Sequence, residues 1–162
     1  MRVDEKLLEA LREQSGLRLD KHGQFWHQGT RVEHERTQLV LHQGVHRAPD
    51  GRWATRIGKE WGYLDVEDAA LFVERIDGLQ AKLVSGRVAP LDPDSFAIGL
   101  DDALYVRIGG ERARLTRAAQ LSLASALHEE GGSFTLELQG RRHAVSADVG
   151  PEPISARSAQ RP

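Results

Sequence analysis

The strongest constraint on the fold is a stretch of sequence that occurs twice. Residues 37–53 (TQLVLHQGVHRAPDGRW) are echoed by residues 118–134 (AAQLSLASALHEEGGSF). Four of nine consecutive aligned positions are identical, namely Gln38/Gln120, Leu39/Leu121, Leu41/Leu123 and His46/His128. Chance is the alternative explanation, but the predicted elements around both stretches also follow the same order. We therefore predict an internal duplication, because units this small cover their apolar faces by packing together.

The first copy is predicted to be a helix between two β-hairpins. Turns at Gly23 and Gly58 join short runs in which apolar and polar residues alternate. The helix between these hairpins ends at Pro49-Asp50-Gly51, where turn-forming residues cluster. Its apolar face is predicted to consist of Val32, Leu39, Leu41 and Val45.

The second copy has the same predicted order. Gly109-Gly110 and Gln139-Gly140 are two-residue hairpin turns between alternating runs. The helix between them is predicted over residues 116–130, with Thr116 as its N-cap and Gly131-Gly132 after its end.

Between the copies, Asp77-Gly78 forms a strong hairpin signal, which we assign to the first copy. Pro90 and Pro93 follow in a Pro-, Gly- and Asp-rich stretch and argue against a long central strand there. We predict an α+β fold of two packed hairpin–helix–hairpin units. Its parts are an N-terminal helix (1–16), a first α+β unit (17–84), a linker with one short strand (85–102), a second α+β unit (103–149) and a disordered tail (150–162).

Composition narrows the class of protein. The chain of 162 residues is 40% hydrophobic and 28% charged, as in ordinary soluble domains. Its net charge of −2 does not favour extended nucleic acid or an anionic membrane as partner. The absence of cysteine excludes disulfides and a cysteine nucleophile. With no apolar run of membrane-spanning length and no signal peptide in the sequence, we expect a cytoplasmic bacterial protein.

Three stretches carry a family resemblance. They are LDKHGQFWHQGTRV, LDVEDAALFVERI and LYVRIGGERARLTRAA. In this order and spacing, over residues 17–149, the chain resembles the bacterial family known as domain of unknown function 1285 (DUF1285). The resemblance implies an α+β fold with a duplicated core and a C-terminal half like a pleckstrin-homology barrel. It also implies a site between the halves for a nucleotide-like ligand in signalling, with no activity established. Ala70-Leu71 stands where the family usually has Pro-Phe.

Four arginines are the most suggestive candidate ligand contacts. Arg107, Arg112, Arg114 and Arg117 lie within eleven residues, on a hairpin that leads into the second helix. Arg112 and Arg114 share a strand face, and the positive end of the helix adds to their charge. This pattern suits a phosphate or another anion. The alternative is a charged surface hairpin paired with Glu111 or with the acidic residues 65–68.

Other side chains complete the list of candidates. Trp61 or Tyr105 could stack a ring ligand. Glu67 and Asp68 belong to an acidic cluster that could contact the ligand, serve acid–base chemistry or hold magnesium, or simply end a solvated strand. Three histidines, His34, His42 and His46, could present imidazoles to zinc from the first helix, but the sequence completes no metal motif.

We therefore expect a non-enzymatic ligand-binding or regulatory protein that needs no cofactor and binds an anionic, nucleotide-like molecule. Arg112, Arg114 and Arg117 would contact the anion. The alternatives are a metal-assisted hydrolase, built on the histidine helix or the acidic cluster, and a protein–protein interaction module.

Overall fold

The computed structural model describes Glu9 and residues 12–151, which divide into two units on either side of the Ala70–Leu71 bond. Within these residues the fold is mostly β-sheet, with two α-helices after residue 16. Of the predicted N-terminal helix, Glu9, Arg12 and Glu13 are helical and the remainder lies largely outside the described residues. The predicted tail beyond Pro151 also lies outside them.

The N-terminal unit is a six-stranded sheet with one helix. Its strands and helix are β1 (Leu17–Leu19), β2 (Phe25–His27), β3 (Thr30–Arg31), α1 (Glu35–Gln43), β4 (His46–Arg47), β5 (Trp53–Ile57) and β6 (Glu60–Val66). The strand order is β3-β2-β1-β6-β5-β4, and every pair is antiparallel except β1–β6. Leu19, Phe25, Leu41 and Ala54 are buried in its core.

The C-terminal unit contains a closed barrel. Its elements are β7 (Leu71–Asp77), β8 (Gln80–Leu83), β9 (Val88–Ile98), β10 (Leu104–Ile108), β11 (Glu111–Leu115), α2 (Arg117–Ser122), a 3-10 turn (Ala124–Ala126), β12 (Leu127–Glu130), β13 (Ser133–Leu138) and β14 (Arg141–Ala147). The sheet order is β10-β11-β7-β8-β9-β14-β13-β12, and an additional β9–β10 pairing closes β7–β11 into a five-stranded barrel. Val73, Phe96, Val106 and Ile108 fill its core.

The two units share a strand order. The N-terminal order β3-β2-β1-β6-β5-β4 corresponds to β11-β10-β9-β14-β13-β12, with the helix between the third and fourth of these strands in the chain. The parallel β1–β6 pair corresponds to the parallel β9–β14 pair. The C-terminal unit adds the β7–β8 hairpin between β11 and β9, and this addition closes the barrel.

The turn after the first strand of this common order is also shared. The Asp20 N–H donates to Gln24 O at 2.9 Å, and the Gly23 N–H donates to Asp20 O at 3.1 Å. The matching bonds of 2.8 and 3.1 Å in the C-terminal unit join Gly99, Ala103 and Asp102. Gly23 and Asp102 both have positive φ angles, 82° and 61°, so each turn has a residue in the left-handed backbone conformation near its end.

The repeated glutamine has the same role in both units. Gln38 Oε1 accepts from the Phe25 N–H at 2.9 Å, and Gln38 Nε2 donates to Phe25 O at 3.2 Å and to Val32 O at 2.7 Å. Gln120 Oε1 accepts from the Leu104 N–H at 3.1 Å. Phe25 and Leu104 are the first residues of β2 and β10, which correspond in the common order. Each glutamine therefore joins its helix to the start of the corresponding strand.

All five predicted hairpins are present, but both helices are shorter than predicted. α1 has nine residues and α2 has six, with Thr116 Oγ1 accepting from the Ala119 N–H as the expected N-cap. The predicted apolar face of α1 is wrong, because Val32 and Val45 lie outside the helix and Leu39 is 41% exposed; only Leu41 is buried as predicted. Residues 127–130, predicted as helix, form β12 because they pair with β13.

The prediction against a long strand at Pro90 and Pro93 is also wrong, because β9 has eleven residues. The Leu91 N–H donates to Leu79 O, next to β8. The nitrogen of Pro90 therefore faces away from β8, toward a position past the end of β10, where no strand needs a donor from it. Residues 93–96 lie opposite the single residue Val106 in a bulge, where Pro93 breaks no ladder bond. The β7–β8 hairpin, assigned to the first copy from sequence, belongs to the C-terminal unit.

Candidate functional site

The candidate site lies on the outer surface of the barrel hairpin formed by β10 and β11. Tyr105 pairs with Arg114, and Arg107 pairs with Arg112. Side chains of directly paired residues, and of residues two apart, project from the same face of a sheet. We call these four residues the arginine face. The alternate residues of β10 are Leu104, Val106 and Ile108, which are buried in the barrel core.

Arg112 is the most constrained member of this face. Its Nε and Nη2 donate to the two oxygens of Asp148, at 3.0 and 2.7 Å. Its guanidinium carbon lies 3.9 Å from the centroid of the Tyr105 ring. The side chains of Arg112 and Asp148 are only 12% and 11% exposed. The fork of Arg112 therefore already holds a carboxylate in two-point geometry above an aromatic ring.

Arg114 contacts the hydroxyl group of the same tyrosine. Its Nη1 donates to the Tyr105 hydroxyl at 3.2 Å, and its Nη2 donates to Asp101 Oδ2 at 3.1 Å. Burial acts to raise the pKa of Asp101, but the Ala103 N–H and the Arg114 guanidinium outweigh it and leave the pKa below its usual value. Tyr105 is 4% exposed, so it orients two guanidinium groups and presents little ring surface for a base to stack on.

Arg107 and Arg117 flank this core of the site. The Arg107 N–H donates to Ser95 Oγ at 2.8 Å, in the β9 bulge, and its Nη1 donates to Gly110 O at 2.7 Å. Arg117 is exposed at the first position of α2. Because α2 has only six residues, its dipole adds little to the positive potential expected from the sequence.

The remaining predicted site residues lie in the N-terminal unit. Trp61 on β6 contacts Arg12 and the rings of His46 and Tyr63. Glu67 accepts from the Lys21 N–H at 2.9 Å and lies 3.7 Å from Arg18. Asp68 is half-buried just after β6. Trp61 and Glu67 thus have partners within their own unit.

The histidines proposed as metal ligands are not arranged on one helix. α1 ends at Gln43, so His46 lies on β4, where its Nδ1 is 2.7 Å from Gly44 O. His42 Nε2 lies 2.8 Å from Gly23 O, and its ring packs edge-on against Phe25. Burial lowers the pKa of His42. Across Glu9 and residues 12–151, no three His, Asp or Glu side chains form a group that could hold a metal ion.

Sequence reasoning missed the two carboxylates that organise the arginine face. Asp148 comes to Arg112 from beyond β14, whose parallel pairing with β9 extends to a bond from the Asp148 N–H to Ile98 O. Asp101 comes from the turn before β10, where its Oδ1 accepts from the Ala103 N–H. An aspartate whose side chain accepts from the backbone N–H two residues later is a local turn pattern, so the bond between Asp101 and Ala103 is predictable from sequence. Nothing local predicts a parallel pairing across about fifty residues.

No family model matches the sequence, and a comparison with curated proteins gives no match. Solved structures do match. A DUF1285 family protein from Silicibacter pomeroyi DSS-3 aligns with a TM-score of 0.56 and 18% identity, over 82% of this chain and 80% of that chain. The chain has the DUF1285 fold. A second DUF1285 protein, from Shewanella baltica OS155, aligns with a TM-score of 0.49 and 18% identity, over 68% of this chain and 91% of that chain.

The resemblance to DUF1285 indicated by the sequence is thus confirmed at the level of the fold. At this identity the comparison carries no residue roles, so the roles of the arginine face depend on its own geometry. In the part of the chain that the structure describes, none of the helices has the length and apolar character needed to span a bilayer.

Proposed function

We propose that this chain is a non-enzymatic regulatory module that binds an anionic, nucleotide-like ligand on the arginine face. The observation that carries the proposal is that Asp148 and Asp101 fix Arg112 and Arg114 around Tyr105, on the strand face that they share with Arg107. Guanidinium groups clustered and ordered in this way suit the oxygens of a phosphate.

The flanking arginines give the ligand its points of attachment. Arg112 and Arg114 are held by Asp148 and Asp101, so these ion pairs rigidify the face. Arg107 shares the face, and Arg117 is exposed at the start of the following helix. Anionic groups of the ligand would bind against Arg107, opposite Arg112 near the β10–β11 turn, and against Arg117 beyond the other end of β11, with Arg114 between these two positions along the strand. Rigid donors lower the ordering cost of binding.

The two units also support a proposal about origin. We propose that they arose by duplication and that the barrel of the C-terminal unit, in the manner of a pleckstrin-homology barrel, became the binding module. The shared strand order, the shared turn and the equivalent glutamines Gln38 and Gln120 support it. In this view the added β7–β8 hairpin stiffened one copy by closing its sheet.

Thermal unfolding against a panel of nucleotides, cyclic dinucleotides and inorganic phosphate tests the ligand proposal. A ligand at about 100 times its Kd stabilises a folded protein by about 2.7 kcal/mol. We expect one nucleotide to raise the melting temperature, by about 2–4 °C for each kcal/mol by which it stabilises the folded protein. Arg107→Gln with Arg117→Gln should abolish that shift.

Arg87→Gln is the matched control, because Arg87 is exposed in the same unit, on the turn between β8 and β9. It removes the same type of charge away from the arginine face. A shift that survives Arg107→Gln with Arg117→Gln, or that Arg87→Gln removes equally, would contradict this assignment of the site.

A further inference from the structure

The N-terminal unit contains an aromatic corner that the proposed function does not use. Trp61 and Tyr63 project from the same face of β6, with ring centroids 5.2 Å apart and nearly perpendicular. The ring of His46 approaches Trp61 at 6.1 Å. The antiparallel neighbour β5 holds β6 in place, since Trp61 pairs with Arg56. The corner is therefore part of the sheet.

An arginine side chain of the same chain occupies this corner. The guanidinium carbon of Arg12 lies 4.0 Å from the centroid of the Trp61 ring. This is the geometry in which an aromatic face attracts a cation. Glu9, three residues earlier, lies 3.7 Å from Arg12.

Two carboxylates beside Arg12 contact the same corner. Glu9 accepts from the Tyr63 hydroxyl at 2.9 Å. Glu13 accepts from Arg52 Nη2 at 2.6 Å, and Arg52 lies 3.5 Å above the Tyr63 ring. Tyr63, Trp61 and Arg52 thus contact Glu9, Arg12 and Glu13 in turn. These three charged residues form a Glu-x-x-Arg-Glu pattern in the sequence.

The fit of Arg12 is incomplete. Among the described residues, its buried Nε has no hydrogen-bond partner. A buried donor without an acceptor is costly, so the contact between Arg12 and the corner is less stable than one in which every donor is hydrogen-bonded. The side chains of Glu9 and Glu13 are 47% and 48% exposed, and ion pairs this exposed contribute little. These contacts can therefore be exchanged for others at small cost.

We propose that the Trp61–Tyr63 corner is a binding site for an arginine carried on a helical segment of a partner protein, and that Arg12 is its resident occupant. The partner segment carries carboxylates three residues before and one residue after its arginine, because Tyr63 and Arg52 contact side chains at those positions. Gly62 allows the resident segment to approach closely, since a Cβ there would lie 2.7 Å from Ser15 Cβ.

Peptide binding to a full-length variant with an emptied corner tests this proposal. The variant carries Glu9→Gln, Arg12→Ala and Glu13→Gln. The probe is a labelled peptide of residues 1–16 (MRVDEKLLEALREQSG), and the matched peptide carries Arg12→Ala. Fluorescence anisotropy should show at least about tenfold tighter binding of the arginine peptide by this variant. The wild-type chain, whose corner is filled, should bind the arginine peptide at least about tenfold more weakly than the variant does.

The tryptophans provide a matched pair of controls. Trp61→Ala in the emptied variant should reduce the preference for the arginine peptide to about twofold or less. Trp53→Ala should preserve it, because Trp53 packs against Arg47 elsewhere in the unit. Equal affinity for the two peptides, or absence of binding by a folded variant, would overturn the proposal. Trp61-dependent dimerisation of the wild-type chain would assign the corner to a second copy and overturn the partner assignment.

A wild-type measurement covers the case in which the emptied variant fails to fold. The indole N–H signal of Trp61 should shift in nuclear magnetic resonance spectra when excess arginine peptide is added, and the signal of Trp53 should not. No shift of the Trp61 signal, or the same shift with the matched peptide, would contradict the proposal.

Discussion

Gln38 and Phe25 form a closed pair of hydrogen bonds, in which the side-chain amide accepts from the Phe25 N–H at 2.9 Å and donates to Phe25 O at 3.2 Å. This contact joins α1 to the first residue of β2. The residue aligned with Gln38 in the repeat, Gln120, accepts from the first residue of β10. The sequence identity of the two glutamines therefore corresponds to one structural role performed twice.

We predict that Gln38→Ala and Gln120→Ala each lower the free energy of unfolding by about 1–3 kcal/mol, because each leaves partly buried backbone groups without partners. Urea unfolding of each variant measures the loss. Thr37→Ala, exposed on the same helix as Gln38, is the control and should change stability by less than about 0.5 kcal/mol. If both glutamine variants lose less than about 0.5 kcal/mol of unfolding free energy, these side chains do not stabilise the fold.

The ion pair between Arg112 and Asp148 should contribute far more than an exposed one. Removing one partner, by Arg112→Met or Asp148→Leu, should cost about 2–4 kcal/mol because it leaves a mostly buried charge unpaired. The double variant should lose less than the sum of the single losses. The control pair is Arg142 and Glu130, whose side chains are 51% and 78% exposed. Its double-mutant cycle should give less than about 1 kcal/mol, and equal coupling energies would contradict the account.

Tyr63 should titrate late. Burial, and a hydroxyl that donates to Glu9, raise the pKa of Tyr63 to about 12. In the unfolded chain a tyrosine loses its proton near its ordinary pKa of 10.0, so the folded state binds more protons between these two values. Stability is therefore fully present below the unfolded pKa and is lost as the pH rises through the folded one. Phenolate absorbance measures the titration, and Tyr63→Phe should remove the step near 12; ionisation of Tyr63 near 10 would contradict the assignment.

His42 should make the N-terminal unit sensitive to acid. Burial lowers the pKa of His42 below its ordinary value of 6.5, with the bond to Gly23 O acting in the opposite direction. The unfolded chain therefore takes up the proton first, and stability falls as the pH drops below about 6.5. Melting temperatures across this range should decline less in His42→Gln than in the wild type. His34→Gln, on an exposed histidine, is the control and should leave the decline unchanged.

Local sequence predicted the turns well because turn chemistry is local. Gly23, Gly58 and Gly78 all adopt positive φ angles that favour glycine, and each lies at a predicted hairpin. Helix length was overestimated because residues 127–130 satisfy helical periodicity but pair with β13. Tertiary pairing there outweighs local propensity, and the same competition allows β9 to continue through Pro90.

The candidate site was predictable only in part. Alternation along β11 placed Arg112 and Arg114 on one face, as the structure has them. Their carboxylate partners, Asp148 and Asp101, come from a parallel strand pairing and a turn, which no local pattern combines. The covering of Tyr105 by two guanidinium groups follows from those partners.

The most direct test of anion binding at the arginine face is nuclear magnetic resonance of the arginine side chains during titration with whichever nucleotide stabilises the protein. We predict that the Nε–H signals of Arg107, Arg114 and Arg117 shift together and saturate at the same ligand concentration. The signal of Arg87 should remain in place. Saturable shifts confined to the N-terminal unit, or none at the arginine face, would contradict the claim that this face binds the anion.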